Sequence, residues 1–304
     1  MSDRSWAWLA SRGEFASQIE LHRAAIAEEF GQSPRIFRNT ELIYSDALAV
    51  WLEEHGFAGV LADGVETLLA GRSPRHLYRA ATPGGLPLLL RDFRLSDDIA
   101  FRFSHRDWSE WPLTAEKYER WTSRSPGEVL SLFMDFETFG EHQWKETGIF
   151  GFFEEWVDRV LARRGAAFLT PSEAVQRLPR RDVLSTTRTI SWADEARDLS
   201  AWQGNDLQRD ALKRLFALEE RVASGSSGEI REDFRRLSTS DHFYYMATKS
   251  HGDAEVHAYF SPYESPYEAY IAYMHVLSDL ERRLPRSSRR GVPAEALPRS
   301  TARI

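Results

Sequence analysis

Two carboxylates, Glu41 and Asp135, stand out because each closes a strand-like segment within a cluster of polar and aromatic residues. The first lies in Arg35-Ile36-Phe37-Arg38-Asn39-Thr40-Glu41-Leu42-Ile43-Tyr44, the second in Leu132-Phe133-Met134-Asp135-Phe136-Glu137-Thr138-Phe139-Gly140-Glu141-His142-Gln143-Trp144. Two acids remote in sequence but gathered at a barrel mouth can cleave a glycosidic bond. One attacks or stabilises the sugar cation and the other protonates the leaving oxygen. Asp135, beside Phe136 and Phe139, is expected to be desolvated, which favours the protonated form a general acid needs. The ordinary alternatives are an exposed loop glutamate for Glu41, which residue type alone favours, and a helix N-cap for Asp135.

The elements that must position these acids alternate short apolar runs with helical patterns, the signature of βα units and a parallel sheet. Residues 35 to 39 read as a strand. Ser45 caps a helix carrying Leu48, Trp51 and Leu52 on one face and stopping at Gly56. Further strands are expected at Ala58 to Ala62, Leu86 to Leu90, Glu128 to Met134 and Ala166 to Leu169, with helices over Thr114 to Arg124 and Gly148 to Arg163. Thr170-Pro171-Ser172-Glu173 is a capping box with proline at the first helical position. Leu178 to Trp192, with Pro179 and Ser185-Thr186-Thr187, reads as a linker. Beyond it helices are expected over Asn205 to Val222, Glu229 to Lys249 and Ser265 to Arg283, and residues 284 to 304 lack periodicity and read as a disordered tail. The expected domains are thus 1–180, a (β/α) portion, and 181–283, a helical region closing the cleft.

Composition narrows the function classes. The 304 residues are 42% hydrophobic and 28% charged, ordinary for a folded globular chain. A net charge of −7 argues against a nucleic-acid surface, which requires a basic patch. With no cysteine, disulfides, thiolate metal sites and a cysteine nucleophile are excluded. No leader-like or membrane-spanning run is present, so a cytoplasmic, non-membrane protein is expected. The 10 Trp, 10 Tyr and 18 Phe are core mass in the main, with some available to stack on sugar rings.

Three segments, Arg38-Asn39-Thr40-Glu41-Leu42-Ile43-Tyr44, Leu95-Ser96-Asp97-Asp98-Ile99-Ala100-Phe101-Arg102-Phe103-Ser104 and Met134-Asp135-Phe136-Glu137-Thr138-Phe139-Gly140-Glu141-His142, resemble the catalytic and neighbouring motifs of glycoside hydrolase family 57, in its α-amylase-like branch. The resemblance runs from about residue 5 to about residue 280. It implies an α/β fold, an incomplete (β/α)7-type barrel followed by a C-terminal helical region, and a retaining α-glucan hydrolase with Glu41 as nucleophile and Asp135 as general acid/base. Transfer to an acceptor sugar, as in a 4-α-glucanotransferase or branching enzyme, shares the first step. A catalytically silent glucan-binding module is the competing class. An α-glucan or maltooligosaccharide is the implied partner, and no cofactor is implied.

Arg38, His142, Trp144, Trp202 and Asp241 are the substrate-binding candidates. The segments Ser200 to Asn205 and Thr239 to Tyr245 are similar to those closing the family's cleft, though His242 stands where the family commonly has tryptophan. Core aromatics and helix caps are the alternative there, and a core role is the alternative for Trp144. Glu137, Glu141 and His142 match no closed zinc spacing and read as hydrogen-bonding partners of Asp135. Asp97 and Asp98 read as helix-start residues, with Arg91, Asp97 and Arg102 forming ion pairs that position loops. The family's early His-Gln-Pro strand motif and a second motif on another early strand are both absent, and Ser5 to Ala10 resembles sequence just downstream of that second motif. An open barrel edge is therefore expected, with self-association through it and weak activity of the chain alone.

Overall fold

The computed structural model describes residues 7–224, 226–249 and 261–285. Its centre is a five-stranded sheet formed by β1 (Ile36–Arg38), β2 (Gly59–Asp63), β3 (Leu77–Ala80), β4 (Pro87–Arg91) and β5 (Arg180–Leu184), in the order β1-β2-β4-β3-β5. β1, β2 and β4 run parallel, β3 is antiparallel to β4, and β5 is parallel to β3. The expected mixed α/β class is the one observed.

Side chains alternate across each strand and so build two apolar layers. On one face Val60, Ala62, Leu88 and Leu90 pack with Leu48, Ala49 and Leu52 of the Asp46–Glu54 helix. Ser45 caps that helix by accepting from the Leu48 amide. On the other face Ile36, Leu61, Leu77 and Leu89 meet Ala174 and Val175 of the Pro171–Arg177 helix, whose capping box forms as expected. β4 is buried along its whole length, which a run of three leucines satisfies on both faces. The edge strands are blunted: β1 has three residues, and β5 exposes Arg180, Arg181 and Asp182.

Two further apolar clusters flank the sheet. Leu95, Ile99, Phe103, Tyr118, Phe152 and Trp156 join the helices Phe93–Ala100, Ala115–Arg124 and Ile149–Ala162. A helical cluster gathers Trp202, Leu212, Leu215, Phe234, Phe243, Tyr273 and Leu277. It is tied to the long Arg12–Phe30 helix by Arg235, whose Nε lies 2.6 Å from Glu14 Oε1. Among the described residues no helix is long and apolar enough to cross a membrane.

Several expected elements differ. Glu128 to Met134 is no regular strand: only Ser131 bridges, parallel to Arg91. Other groups take the place of ladder partners, since Glu128 N–H and Val129 N–H both donate to Arg75 O, and Phe133 N–H donates to Ser96 Oγ. Ala166 to Leu169 is irregular, with Phe168 turned onto Trp156 at a ring separation of 6.0 Å. The segment expected to be a linker contains β5, because β3 offers it an unpaired edge, and composition carries no sign of such a distant partner. The expected helices at Asn205 to Val222 and Glu229 to Lys249 each break in two, giving Asp206–Phe216 with Glu219–Ala223 and Gly228–Leu237 with Ser240–Tyr244. Leu284, assigned to the tail, is buried in the helical cluster, while residues 286–304 lie outside the described residues.

Candidate active site

The parallel strands β1, β2 and β4 deliver their C-terminal ends to one edge of the sheet, where loops are free to carry chemistry. Glu41 follows β1 by three residues, in a single 3-10 turn, Thr40–Leu42. Glu41 and Leu42 both adopt left-handed backbone, with φ of 54° and 49°. Side chains with a Cβ rarely tolerate this, at roughly 1–3 kcal/mol each, and such strain gathers where the surroundings over-determine it. Here they do. Tyr44 and Ile190 exchange both backbone hydrogen bonds at 2.9 Å, Trp192 N–H donates to Glu41 O at 3.0 Å, and Asn39 Nδ2 donates to Ile43 O at 3.2 Å. Trp192 Nε1 donates to the carboxylate itself, at 2.8 Å from Glu41 Oε2.

β2 ends in Asp63, which is fully buried, and β4 ends in Arg91, 3% exposed. Gly64 lets the two strand ends approach, because a Cβ there would lie 2.5 Å from Arg91 O. Arg91 is shared by Asp63, at 3.4 Å, by Asp97, and by the Phe133 carbonyl, at 2.8 Å from its Nε. Arg197 completes the group: it lies 3.5 Å from Asp63 Oδ2 and 3.3 Å from Asp97 Oδ2, and it donates to Trp192 O. Burial pushes the Asp63 carboxyl up from the ordinary range, opposed by Arg91 and Arg197. Burial also raises Asp98, against its ion pair with Arg102 at 2.7 Å. Asp97 and Asp98 lie in the second half of the Phe93–Ala100 helix rather than at its start; Asp92 is the cap, accepting from Leu95 N–H.

The second acid arrives beside this group. Ser131 bridges to Arg91, Phe133 accepts from it, and Asp135 follows two residues later. Asp135 occupies the N-cap position of the Phe136–Thr138 turn without a side-chain cap bond. The desolvation expected of it is not supplied, since Asp135 is exposed and Phe136 is 95% exposed. The loop beyond is firmly built: His142 N–H donates to Glu137 O, Gly140 N–H to Gln143 O, and Gln143 Nε2 to Ala100 O at 3.0 Å. His142 and Trp144 are exposed on it.

Arg38, exposed at the end of β1, places its guanidinium 4.9 Å from the Trp192 ring centroid, and Arg91 lies 5.5 Å from the same ring. The other two candidates stand in the helical region. Trp202 is 1% exposed within the helical cluster, so its ring has no open face to stack on a sugar. Asp241 is exposed in the first turn of Ser240–Tyr244. Its neighbour His242 is partly buried, and desolvation lowers its pKa.

Asp63, Trp192 and Arg197 are the residues that sequence reasoning missed. Asp63 had a usable signal, a carboxylate directly after the apolar run Ala58 to Ala62, the same pattern that singled out Glu41. Trp192 and Arg197 had none, lying in or just beyond the segment read as a linker.

Glu41 and Asp63 lie at the C-terminal edge of the parallel strands, the edge at which (β/α) folds carry their functional groups. Residues 4–187 match the family model described as Glycosyl hydrolase family 57. Over 278 residues the chain is 43% identical to a protein of Methanocaldococcus jannaschii that bears a provisional alpha-amylase name, a match spanning 88% of this chain and 59% of that relative. The chain belongs to glycosyl hydrolase family 57. Its fold is similar to that of the 4-alpha-glucanotransferase from Thermococcus litoralis, with a TM-score of 0.59 at 17% identity over 79% of this chain and 42% of that one. It is also similar to the GH57 branching enzyme of Thermococcus kodakaraensis, with a TM-score of 0.60 at 14% identity over 92% of this chain and 68% of that one.

Proposed function

We propose that the chain is an α-glucan-processing glycosidase of α-amylase type that works with retention, Glu41 acting as nucleophile and Asp135 as general acid/base. The observation that carries the proposal is that Glu41 and the segment leading into Asp135 are both anchored on the Arg91–Trp192 group. Trp192 donates to Glu41 Oε2, its ring lies 5.5 Å from the Arg91 guanidinium, and Arg91 donates to Phe133 O, two residues before Asp135.

The strands that deliver the acids, β1 and the bridge at Ser131, are separated by β2 and β4. Three interstrand spacings amount to about 14 Å. A retaining pair needs its carboxyl groups about 5–5.5 Å apart. Retention thus requires both side chains to reach inward over Asp63 and Arg91. The glycosyl bond would form to Glu41 as Asp135 protonates the departing oxygen, and Asp135 would then take a proton from the incoming water. Phe136 and Trp144, 95% and 63% exposed, offer faces to the departing sugar and equally to an acceptor sugar. With an acceptor in place of water, the same intermediate yields transfer.

Proton NMR of a maltooligosaccharide digest tests the proposal. The α-anomer as first product is expected. The β-anomer would mean inversion, and binding of maltooligosaccharide without any turnover would make the chain a glucan-binding module.

A further inference from the structure

We propose that Trp192 is a positioning residue for the nucleophile: its indole N–H holds Glu41 Oε2 and so fixes the orientation of the carboxylate toward the anomeric carbon. The inference rests on the reading of Glu41 as nucleophile and goes beyond it to how the carboxylate is aimed.

An indole nitrogen donates and cannot accept, so Trp192 can stabilise a carboxylate but cannot remove a proton from a carboxylic acid. At 2.8 Å the contact has the length of a charge-assisted hydrogen bond. The donor is itself fixed from several directions. Its backbone N–H is spent on Glu41 O at 3.0 Å, and its carbonyl accepts from Arg197. Its ring stands 4.9 Å from the Arg38 guanidinium and 5.5 Å from that of Arg91. Trp192 thus grips both ends of Glu41, backbone and side chain, at a residue whose left-handed backbone would not hold itself.

Among the described residues, charges around this pair come from several packed elements: Arg38 from β1, Asp63 from β2, Arg91 from β4, Asp97 from the Phe93–Ala100 helix and Arg197 from the Trp192 loop. The two buried acids are engaged by Arg91 and Arg197, and Arg38 and Arg91 face the indole that touches Glu41. Cations over a ring polarise its N–H toward the carboxylate, and that polarisation favours the anionic nucleophile. In the covalent step the Glu41 carboxylate bonds to the anomeric carbon, the bond to the leaving oxygen breaks, and Asp135 supplies the proton to that oxygen. Trp192 keeps its proton throughout.

Trp192→Phe retains the ring and deletes the N–H. The test is the rate at which a 5-fluoro-α-glucosyl fluoride labels Glu41 in the full chain, read by mass spectrometry of the Glu41 peptide. The Phe variant should label roughly tenfold to a hundredfold more slowly, the range of a lost hydrogen bond to a charged group. Its half-saturating probe concentration should stay within about twofold and its melting temperature within about 3 °C, since the buried apolar area is nearly unchanged. Trp192→His, which restores a donor, should recover part of the rate. Equal labelling of wild type and Phe variant would overturn the assignment while leaving Glu41 as nucleophile. Slow labelling accompanied by a melting temperature lower by about 10 °C, without recovery in the His variant, would make Trp192 structural only. A wild-type chain labelled elsewhere than Glu41, or not at all, would overturn the nucleophile reading and this inference with it.

Discussion

Asp63 and Arg91 are partners twice over: they are paired in the β2–β4 register, and their side chains meet at 3.4 Å with both residues buried. A strand pair thus ends in an ion pair aimed at the candidate site, and Arg91 continues from it to Asp97 and to Phe133 O. Removing one partner of such a pair leaves the other charge buried, which costs about 3–5 kcal/mol. Asp63→Ala should lower stability by that order, read from the denaturation midpoint at constant m-value.

The pH dependence of the same pair has a definite sign. Burial raises Asp63 above its ordinary value of 3.8, so the folded state binds this proton more tightly than the unfolded chain does. Stability from this group is fully present below pH 3.8 and is lost as pH rises through the higher folded value. Asp63→Asn cannot ionise and lacks that loss. Its stability deficit relative to wild type should therefore be smaller at pH 7 than at pH 4, as measured by urea denaturation at both. A deficit that grows between pH 4 and pH 7 would mean that Arg91 and Arg197 outweigh the burial.

Gly64 sets the approach of the two strand ends. A Cβ at this position would stand 2.5 Å from Arg91 O and 3.0 Å from Pro74 Cβ, and the first contact is backbone, which cannot swing aside. Gly64→Ala should destabilise by about 1–3 kcal/mol through overpacking. It should also reduce activity, because it displaces the carbonyl end of β4 beneath the site. Wild-type melting in this variant would show that the strand ends have slack.

What could be read in the sequence followed local signals. The caps at Ser45 and Thr170 and the apolar runs of β2 and β4 each carry their structure within a few residues, and each was placed to within about two positions. β3 and β5 depend on one another across about a hundred residues, and a short charged strand such as Arg180 to Leu184 has no periodicity to reveal it. The site divides in the same way. Glu41 and Asp135 are visible as acids after apolar runs, whereas Trp192 matters only because Ile190 bridges back to Tyr44. Trp202 looked like its exposed relatives in composition, and burial alone tells it apart.

Glu41→Ala should abolish turnover, and azide should restore part of it with formation of a β-glycosyl azide, since a small anion fits the vacated space on the face the carboxylate attacked. The azide adduct is identified by NMR. An α-configured adduct would contradict double displacement.

Asp135→Ala separates the acid role from the nucleophile role. Loss should be large on natural maltooligosaccharides and much smaller on glucosyl fluoride, whose leaving group needs little protonation. Equal loss on both substrates would remove Asp135 from that role.

Trp144 and Trp202 make the sharpest contrast among the binding candidates, because one ring is 63% exposed beside the Asp135 loop and the other is 1% exposed in the helical cluster. A ring that stacks on sugar contributes to binding and little to folding; a buried ring does the reverse. Trp144→Ala should raise KM for longer maltooligosaccharides several-fold, leave kcat near wild type and leave the melting temperature unchanged. Trp202→Ala should cost about 3–5 kcal/mol of stability through the cavity it opens. At temperatures where it stays folded, its KM should match wild type. Isothermal titration with maltoheptaose and calorimetric melting of the two variants decide the matter. A stable Trp202→Ala chain with weakened glucan binding would return Trp202 to the substrate cleft and require the helical region to open before binding.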